Sequence, residues 1–432
     1  MIQSTTETRS PLAATEMMAP VFVDRVQRRA LLVGIVFGIG TIIGAVLQPH
    51  QFFRSYLLAF MMWLGVTLGG LALLQLQYLT KGNWGFVIRR LLEASSRLIP
   101  LMALFFVPLV IPMLTGQMFP WAISYKTNGV WHGLNLPGGL TAEQAKAPKF
   151  TGGYMTPHSV IARAVVYFLL WFVMATLLNR WGRWQDERDE PDLPRSRRYQ
   201  TLSAPGIIIY AYTISLAVTD WVQSLDPTWY STMFGLVFVD GEAMIAMTFC
   251  IMVTYWLARY KPTSDIMQPL FWHDLGNMTL AMVMLFAYFG FSQFLIIWSG
   301  NLPEEIDWFI NRVNGGWGVW AMLMVFTQFA IPFFLLLMKP LKRNASKLVW
   351  IAALLFLARY IDLIWYIMPN FPAMEGLPAT RESFFFSWQN IVIPIAMGGL
   401  WISAFCWQLK KRPLYPVYDL LWPEITKHYH GY

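Results

Sequence analysis

Residues 53–79 read FRSYLLAFMMWLGVTLGGLALLQLQYL, a run in which Arg54 is the one charged residue. A transmembrane helix needs about 20 apolar residues to cross a hydrocarbon core of about 30 Å. The run is therefore long enough to cross a bilayer as a single helix. Four basic residues follow it between Lys81 and Arg97. Because cytoplasmic connections retain Lys and Arg, this end of the helix is predicted to lie inside.

Nine further apolar runs are separated by polar connections, which gives ten predicted transmembrane helices. Trp and Tyr residues mark the ends of several runs, as expected for side chains at the headgroup level. The predicted fold class is all-α, a polytopic membrane protein. The predicted helices are Ala30–Leu47, Phe53–Leu79, Leu98–Leu114, Ser159–Asn179, Pro205–Leu225, Ser231–Ala258, Asp274–Ser299, Trp317–Met338, Leu348–Met368 and Phe385–Leu409.

The 32 Lys and Arg residues are distributed unevenly between the two sides of these helices. Of them, 24 lie in the N-terminal segment, the C-terminal tail and every second connection, and seven lie in the other connections. Arg359 lies inside a predicted helix. This bias accounts for the net charge of +8 without a nucleic-acid partner, and it predicts that both termini are cytoplasmic.

The sequence divides into a cytoplasmic segment, residues 1–29, a transmembrane domain, residues 30–409, and a cytoplasmic tail, residues 410–432. Two connections are long. Residues 115–158 form a predicted periplasmic loop, and residues 182–204 form a predicted cytoplasmic loop with dense mixed charge.

Glycines at four-residue spacing occur in the first two predicted helices. Such spacing lets two helices approach closely, either inside one chain or at a dimer interface. The residues concerned are Gly34, Gly38, Gly40, Gly44, Gly65 and Gly69.

Redox cofactors need ligands that the predicted helices do not supply. Cys250 and Cys406 are too few for an iron–sulfur cluster or a zinc ribbon and are predicted to be buried thiols. All six histidines lie in loops, tails or at helix ends, so axial ligands for a transmembrane haem are missing. A P-loop is absent, which argues against a primary pump. The chain is predicted to bind no cofactor of its own.

Ionisable side chains inside the predicted helices are the candidates for function, because they are costly in a bilayer and mark transport pathways. Asp240 and Glu242 lie in the sixth helix, with Glu242 near mid-membrane. Arg359 and Asp362 lie three residues apart in the ninth helix, so they can pair. Gln293 lies at a similar depth in the seventh helix. The alternative role of the Arg359–Asp362 pair is to lock helices together.

Polar residues at the two ends of the seventh helix would connect these buried groups to water. His273 and Asp274 open the helix at the predicted inner face, and Glu304 and Glu305 follow it at the predicted outer face. We predict a proton pathway that uses these four residues together with the five buried groups. Asp274 also suits the N-cap position of the helix, which is the structural alternative.

Two residues near the predicted outer face are candidates for contact with a quinone. Quinol oxidation needs a proton acceptor beside an apolar slot, and His158 is the histidine at an outer helix mouth. Asp220 lies within about two turns of the same face. The alternative for Asp220 is a role in the adjacent outer turn.

Four strings together carry a family resemblance. They are TDWVQSLDP at 219–227, WHDLGN at 272–277, SQFLIIWSGNLPEE at 292–305 and RYIDLIW at 359–365. They resemble the F subunit of bacterial alternative complex III, the quinol:cytochrome c/auracyanin oxidoreductase. That subunit is a polysulfide-reductase-type (NrfD-like) membrane subunit. The third string, joined to WHDLGN by one helix, is the most specific.

The resemblance implies two four-helix bundles, helices two to five and six to nine, flanked by helices one and ten. It implies a complex in the bacterial inner membrane with a sister ten-helix subunit, an iron–sulfur subunit, haem c subunits and small membrane subunits. Menaquinol would be oxidised near the periplasmic side, with the sister subunit as the better quinol site. This chain, without a redox centre, would conduct protons or support assembly.

Two other classes of function are open from the sequence. A passive scaffold would use its buried charges for packing alone. A secondary transporter would build a midplane site from broken helices, often in paired repeats, and no paired interrupted segments are evident.

Overall fold

The computed structural model describes residues 17–127, 130–136, 139–146, 150, 153–186, 193–314, 316–371, 386–416, 419 and 422. Several predicted features lie partly outside the described residues. They are residues 1–16 of the N-terminal segment, most of the tail 410–432, parts of the loops 115–158 and 182–204, and Phe385, the predicted start of the tenth helix.

Ten long helical segments, one of them broken, follow the described chain in order. The helix bounds are α1 Phe22–Leu47, α2 Pro49–Thr80, α3a Asn83–Ser96, α3b Ile99–Thr115, α4 Pro157–Asp186, α5 Leu193–Trp221, α6 Met233–Leu257, α7 Pro269–Gly300, α8 Trp317–Leu337, α9 Ala345–Ile367 and α10 Gln389–Leu409.

Within the described part of the chain, nine helices are long and apolar enough to cross a membrane, or ten when α3a and α3b count as one bent span. Besides the helices, the described residues contain one short antiparallel strand pair, β1 Tyr125–Thr127 and β2 Val130–His132. The prediction of an all-helical polytopic membrane protein is confirmed at this level.

The third span differs from its prediction. It was expected to begin at Leu98, but helix α3a already runs from Asn83 to Ser96, and the chain then bends by 42° into α3b. Pro100 explains the position of the break, because its ring would clash with the carbonyl of Ser96 in a continuous helix and Pro fits the first turn of a new helix.

The predicted charged loop 182–204 is also mostly helical. Helix α4 continues to Asp186, and α5 already begins at Leu193, so Pro205 lies inside α5. A length of about 45 Å, from 30 residues at 1.5 Å each, lets α4 extend beyond the hydrocarbon core. Hydropathy located the apolar centre of both helices and missed their polar extensions.

Helix α2 is the central element, and its membrane-spanning stretch is entirely buried. It packs against α3a, α3b, α5, α6 and α10. Helix α6 packs against α2, α5, α7 and α9, and α1 lies against α10 at the edge of the molecule. The α2–α6 contact therefore joins the first and second halves of the chain.

Glycines determine how closely these helices approach. A Cβ built on Gly69 would overlap the main chain at Glu242 of α6. Gly34 of α1 likewise faces Gly399 of α10, whereas a Cβ on Gly38 would meet open space. The intramolecular role of the predicted glycine spacing is confirmed at Gly34 and Gly69.

The two ends of the described chain meet at the predicted inner face. The Leu414 backbone N–H donates to the Met17 carbonyl at 2.7 Å, and Lys410 forms an ion pair with Asp24. At the opposite end of the helices, the short helix Pro303–Val313 covers the ends of α6 and α9.

We predict that Gly69→Val lowers the free energy of unfolding by roughly 1–3 kcal/mol, because the added methyl groups push α6 away from α2. Gly38→Val is the matched control and should leave stability unchanged. Thermal unfolding in detergent measures both variants. Equal unfolding midpoints for the two would contradict the α2–α6 contact described here.

Candidate functional site

Glu242 lies at the centre of the molecule, on the α6 face that meets α2. Its side chain is 1% exposed. It packs against Gly65, near the middle of the 32-residue α2, where a Cβ would lie 3.5 Å from Glu242 Cγ. The expected mid-membrane depth of Glu242 therefore agrees with its position beside α2.

Tyr210 of α5 holds one oxygen of this carboxyl group. The Tyr210 hydroxyl donates to Glu242 Oε2 at 2.6 Å, and Tyr210 is wholly buried. Glu242 Oε1 is buried and has no hydrogen-bond partner among the described residues. Buried polar atoms are nearly always satisfied by protein or ordered water, so Oε1 is suited to bind a water molecule or to accept a proton.

Arg359 of α9 fills the space beside Gly241, where a Cβ would collide with its guanidinium group. Nη1 of Arg359 donates to Asp362 Oδ2, which confirms the predicted pairing. The guanidinium carbon also lies 4.9 Å from the centre of the Phe238 ring. The missing side chain at Gly241 thus lets a buried cation reach α6.

Arg359 interacts electrostatically with Asp240 and Glu242 as well as with Asp362. No local sequence pattern indicates a cation near Glu242, because Arg359 is distant in the chain. The structure brings four of the nine predicted pathway residues into one cluster: Asp240, Glu242, Arg359 and Asp362. We call this set the central cluster.

Gln328 of α8 borders the central cluster and was not predicted. It is wholly buried, and its amide approaches the Asp362 carboxylate, although neither amide atom meets the geometry of a hydrogen bond. Gln328 lies in a π-helical turn, Val325–Ala330. Such turns widen a helix locally and occur frequently at functional sites. A polar residue in an apolar run was the available sequence signal.

The residues predicted for the outer part of the proton pathway are less closely connected to the central cluster. Gln293 is 8% exposed, and its buried Nε2 has no partner within the described residues. Glu305 lies on the short outer helix Pro303–Val313, and nothing is described for the side chain of Glu304. No hydrogen bond between described residues joins Gln293 or Glu305 to the central cluster.

Arg312, which was not predicted, occupies the outer end above the central cluster. Its Nη2 donates to the Tyr366 carbonyl at 3.0 Å and to Asn370 Oδ1 at 2.9 Å. The guanidinium carbon lies 3.6 Å from the centre of the Trp308 ring. These contacts close the outer end of α9 with a buried cation and aromatic rings.

The N-cap assignment of Asp274 is wrong. Helix α7 begins at Pro269, and Gln268 precedes it without a side-chain cap, so Asp274 lies in the second turn. The proline explains the earlier start, because it fits the first helical position. His273 Nδ1 lies 3.7 Å from Asp274 Oδ1 and 3.3 Å from Asn277 Nδ2.

The His273 group is polar but leads into an apolar region. Lys342 Nζ donates to Asn277 Oδ1 at 2.5 Å, and burial lowers the pKa of Lys342. Further along α7, the buried face carries Leu275, Met282 and Val283. Thr279 lies among them, but its hydroxyl donates to its own helix. Polar side chains therefore do not continue from His273 towards Glu242 along α7.

A row of buried polar atoms lies instead between α2 and α5, on the inner side of Tyr210. Gln75 lies against Gly206, one helical turn from Tyr210, and its Nε2 lies 3.6 Å from the Met174 sulfur. Gln75 Oε1 and Ser203 Oγ are buried, and no described residue provides a hydrogen-bond partner. The Tyr78 hydroxyl shares this property, and its ring stacks on Tyr199 of α5. We call Gln75, Ser203 and Tyr78 the inner polar row.

Glu93 ends this region in a dense ion-pair network at the predicted inner face. It accepts from Arg89 Nε at 3.1 Å, Arg90 Nη1 at 2.7 Å and Arg412 Nη1 at 3.2 Å. Arg89 also pairs with Asp419 at 2.5 Å. The spacing of Arg89, Arg90 and Glu93 in one helix was visible in the sequence, but the partners from the tail were not.

Asp220 is held by a bidentate ion pair. Arg163 of α4 donates from Nε and Nη2 to the two carboxylate oxygens at 2.9 Å each, and the Tyr167 hydroxyl lies 3.1 Å from Oδ2. Burial and the Asp220 charge raise the pKa of Tyr154, whose ring lies 3.7 Å from the Arg163 guanidinium carbon. His158 is exposed at the start of α4. No hydrogen bond between described residues joins His158 to Asp220.

Both cysteines are buried free thiols, as predicted. Among the described residues, no group of three or more His, Cys, Asp or Glu side chains is arranged to hold a metal ion. No family model and no curated protein matches the chain. The family resemblance therefore depends on the four quoted strings.

We predict that Arg163→Met destabilises the protein by about 3–5 kcal/mol, because it leaves the Asp220 carboxylate buried without its cation. The double variant Arg163→Met/Asp220→Asn should regain most of that loss. Unfolding of both proteins in detergent measures the difference. If the single variant is as stable as the parent, Asp220 is not held by this pair and is available for another role.

Proposed function

We propose that this chain is a proton-conducting and assembly-forming membrane subunit of a menaquinol-oxidising complex of the alternative complex III type. It has no redox centre of its own. Haem c, iron–sulfur clusters and the quinol site belong to partner subunits in a bacterial inner membrane. The family part of the proposal rests on the quoted strings, and the proton part rests on the central cluster.

The helix neighbours support the family part. Helices α2, α3, α4 and α5 pack in a ring, since α2 touches α3 and α5, and α4 touches α3b and α5. Helices α6, α7, α8 and α9 form a second ring in the same way. Two four-helix bundles flanked by α1 and α10 are the arrangement that the resemblance implies.

The Glu242–Tyr210 hydrogen bond is the observation that carries the proton part. Glu242 lies between the two rings, with one oxygen held by Tyr210 and the other without a protein partner. A proton that arrives at Oε1 converts the carboxylate to the neutral acid and leaves the Tyr210 contact in place. Protonation and release at this position need no movement of the helices.

The outer limb of the pathway continues through the rest of the central cluster. Asp240, Glu242 and Asp362 all interact with Arg359, and one guanidinium balances one negative charge. Two of three carboxyl groups sharing one cation gain from holding a proton, so the cluster has the capacity to store and pass protons. Gln328 and Gln293 then lead towards the outer face.

The inner limb runs through the inner polar row rather than through His273 and Asp274. The row begins one turn from Tyr210 and approaches the Glu93 network, and its unpartnered oxygens suit a chain of bound waters. The apolar face of α7 separates His273 from Glu242. The proposed pathway therefore keeps the outer residues that the sequence suggested. On the inner side it replaces His273 and Asp274 with the inner polar row.

The family part predicts what accompanies the chain in a mild purification. A tag on this chain should bring down haem c and iron–sulfur absorbance together with menaquinol:cytochrome c reductase activity. The matched control is the same preparation from cells that carry the untagged chain. If the intact chain is purified from its native membrane without haem c, it does not belong to this class of complex.

The proton part predicts that Glu242→Gln uncouples the complex. Quinol oxidation in detergent should stay within about twofold, since no redox centre is touched, while proton translocation in vesicles should fall at least tenfold, as for loss of a positioned proton carrier. Glu143→Gln, on the exposed outer loop, is the control and should translocate normally. Normal translocation by Glu242→Gln would leave the chain a scaffold.

The same vesicle assay separates the two inner limbs. Gln75→Leu/Ser203→Ala should impair translocation strongly, and His273→Ala/Asp274→Asn should have little effect. The reverse result would restore the original inner route without affecting the role of Glu242.

A further inference from the structure

A cleft lies at the predicted inner half of the molecule, between α1, α2, α6, α9 and α10. Its volume is about 210 Å³, and its lining is entirely apolar. Trp63 and Phe356 form its deep end near mid-membrane, and Phe22, Leu257 and Leu409 form its inner end. The lining of α6, from Phe249 to Leu257, extends for about 12 Å along the membrane normal.

The cleft opens sideways, towards the position of the lipid. Trp256 is 53% exposed, and Met252, Val253 and Ile402 are partly exposed along the same opening. The cleft is narrow, is lined by apolar side chains and is open to the side along its length. These properties suit a hydrocarbon chain and exclude a polar solute.

Three arginines lie beside the inner end of this cleft. Arg25 and Arg29 follow the lining residues Phe22 and Val26 by three positions, so they share that side of α1. Arg259 follows α6 by two residues, next to Tyr260, whose ring stacks on Phe22 at 4.4 Å. All three are exposed.

These arginines are not neutralised by an acidic side chain of the described residues. Neither Arg25 nor Arg29 forms an ion pair with a described residue, and Arg259 lies over the Tyr255 ring, with its Nη2 at 3.4 Å from the Tyr255 hydroxyl. Asp24 is on the same helix but pairs with Lys410. Long arginine side chains at this level reach the headgroup region.

We propose that this cleft binds one acyl chain of an anionic phospholipid from the inner leaflet, with the lipid phosphate held by Arg25, Arg29 and Arg259. The hydrocarbon lining fixes the tail, and the three cations select a negative headgroup. A bound lipid would seal α1 against α6 and complete the surface that the helices leave open.

Photo-cross-linking of the purified full chain in phosphatidylcholine vesicles tests this site. The probe is phosphatidylglycerol with a diazirine in one acyl chain, and mass spectrometry locates the labelled residues. We expect labels at Met252, Val253 and Ile402, and at least about fivefold less labelling when the same diazirine is carried by phosphatidylcholine. Equal labelling by the two lipids would overturn the selection of a negative headgroup.

Two variants and a control complete the test. Arg25→Gln/Arg29→Gln/Arg259→Gln should reduce labelling by phosphatidylglycerol to the level of phosphatidylcholine, a loss of at least about fivefold. Val253→Trp should abolish labelling of Met252 and Ile402 by filling the cleft. Arg28→Gln, which lies about 160° around α1 from the lining residue Val26, should label as the parent does.

Three results would overturn the proposal. The first is full labelling in the triple arginine variant, and the second is an equal loss with Arg28→Gln. The third is displacement of the lipid label by menaquinone, which would make the cleft a site for a prenyl tail.

Discussion

The contact between α2 and α6 is the constraint on which the other features depend. Helix α6 can approach α2 this closely only because Gly69 presents no side chain, and this approach places Glu242 inside the protein instead of in lipid. A carboxyl group at this depth is costly unless it has polar neighbours. Tyr210 supplies one neighbour, and the unpartnered oxygen marks where a second belongs. The packing of α6 on α2 and the buried position of Glu242 thus depend on the same glycine.

Gly241 has a similar role one residue before Glu242. Its missing side chain accepts the Arg359 guanidinium, so a cation from α9 reaches the face of α6 that carries Asp240. The charge network therefore extends from α9 to α6 because the glycine leaves room for the guanidinium group. Because Arg359 interacts electrostatically with Asp240 and Glu242 of α6 as well as with Asp362 of α9, it links these two helices. This part of the structure stabilises the fold and holds the titratable groups in place.

The sequence predicted the helices well where their signal is hydropathy, and less well where it is not. The apolar centres of all ten spans were found, but the polar start of α3a and the extensions of α4 and α5 were not. The Arg359–Asp362 pair was predictable because both residues lie on one helix. Partners from different helices, such as Arg163 with Asp220 or Tyr210 with Glu242, depend on packing that no local pattern encodes. For the same reason the sequence indicated His273 as an inner entrance, whereas the buried polar atoms between α2 and α5 become evident only when the helices are packed.

A density map of the purified chain at a resolution that resolves ordered water would test the central claim most directly. The account predicts water within hydrogen-bonding distance of Glu242 Oε1, continued by further waters at Gln75 Oε1 and Ser203 Oγ. A map in which these three atoms are enclosed by hydrocarbon alone, with Glu242 turned away from Tyr210, would contradict it.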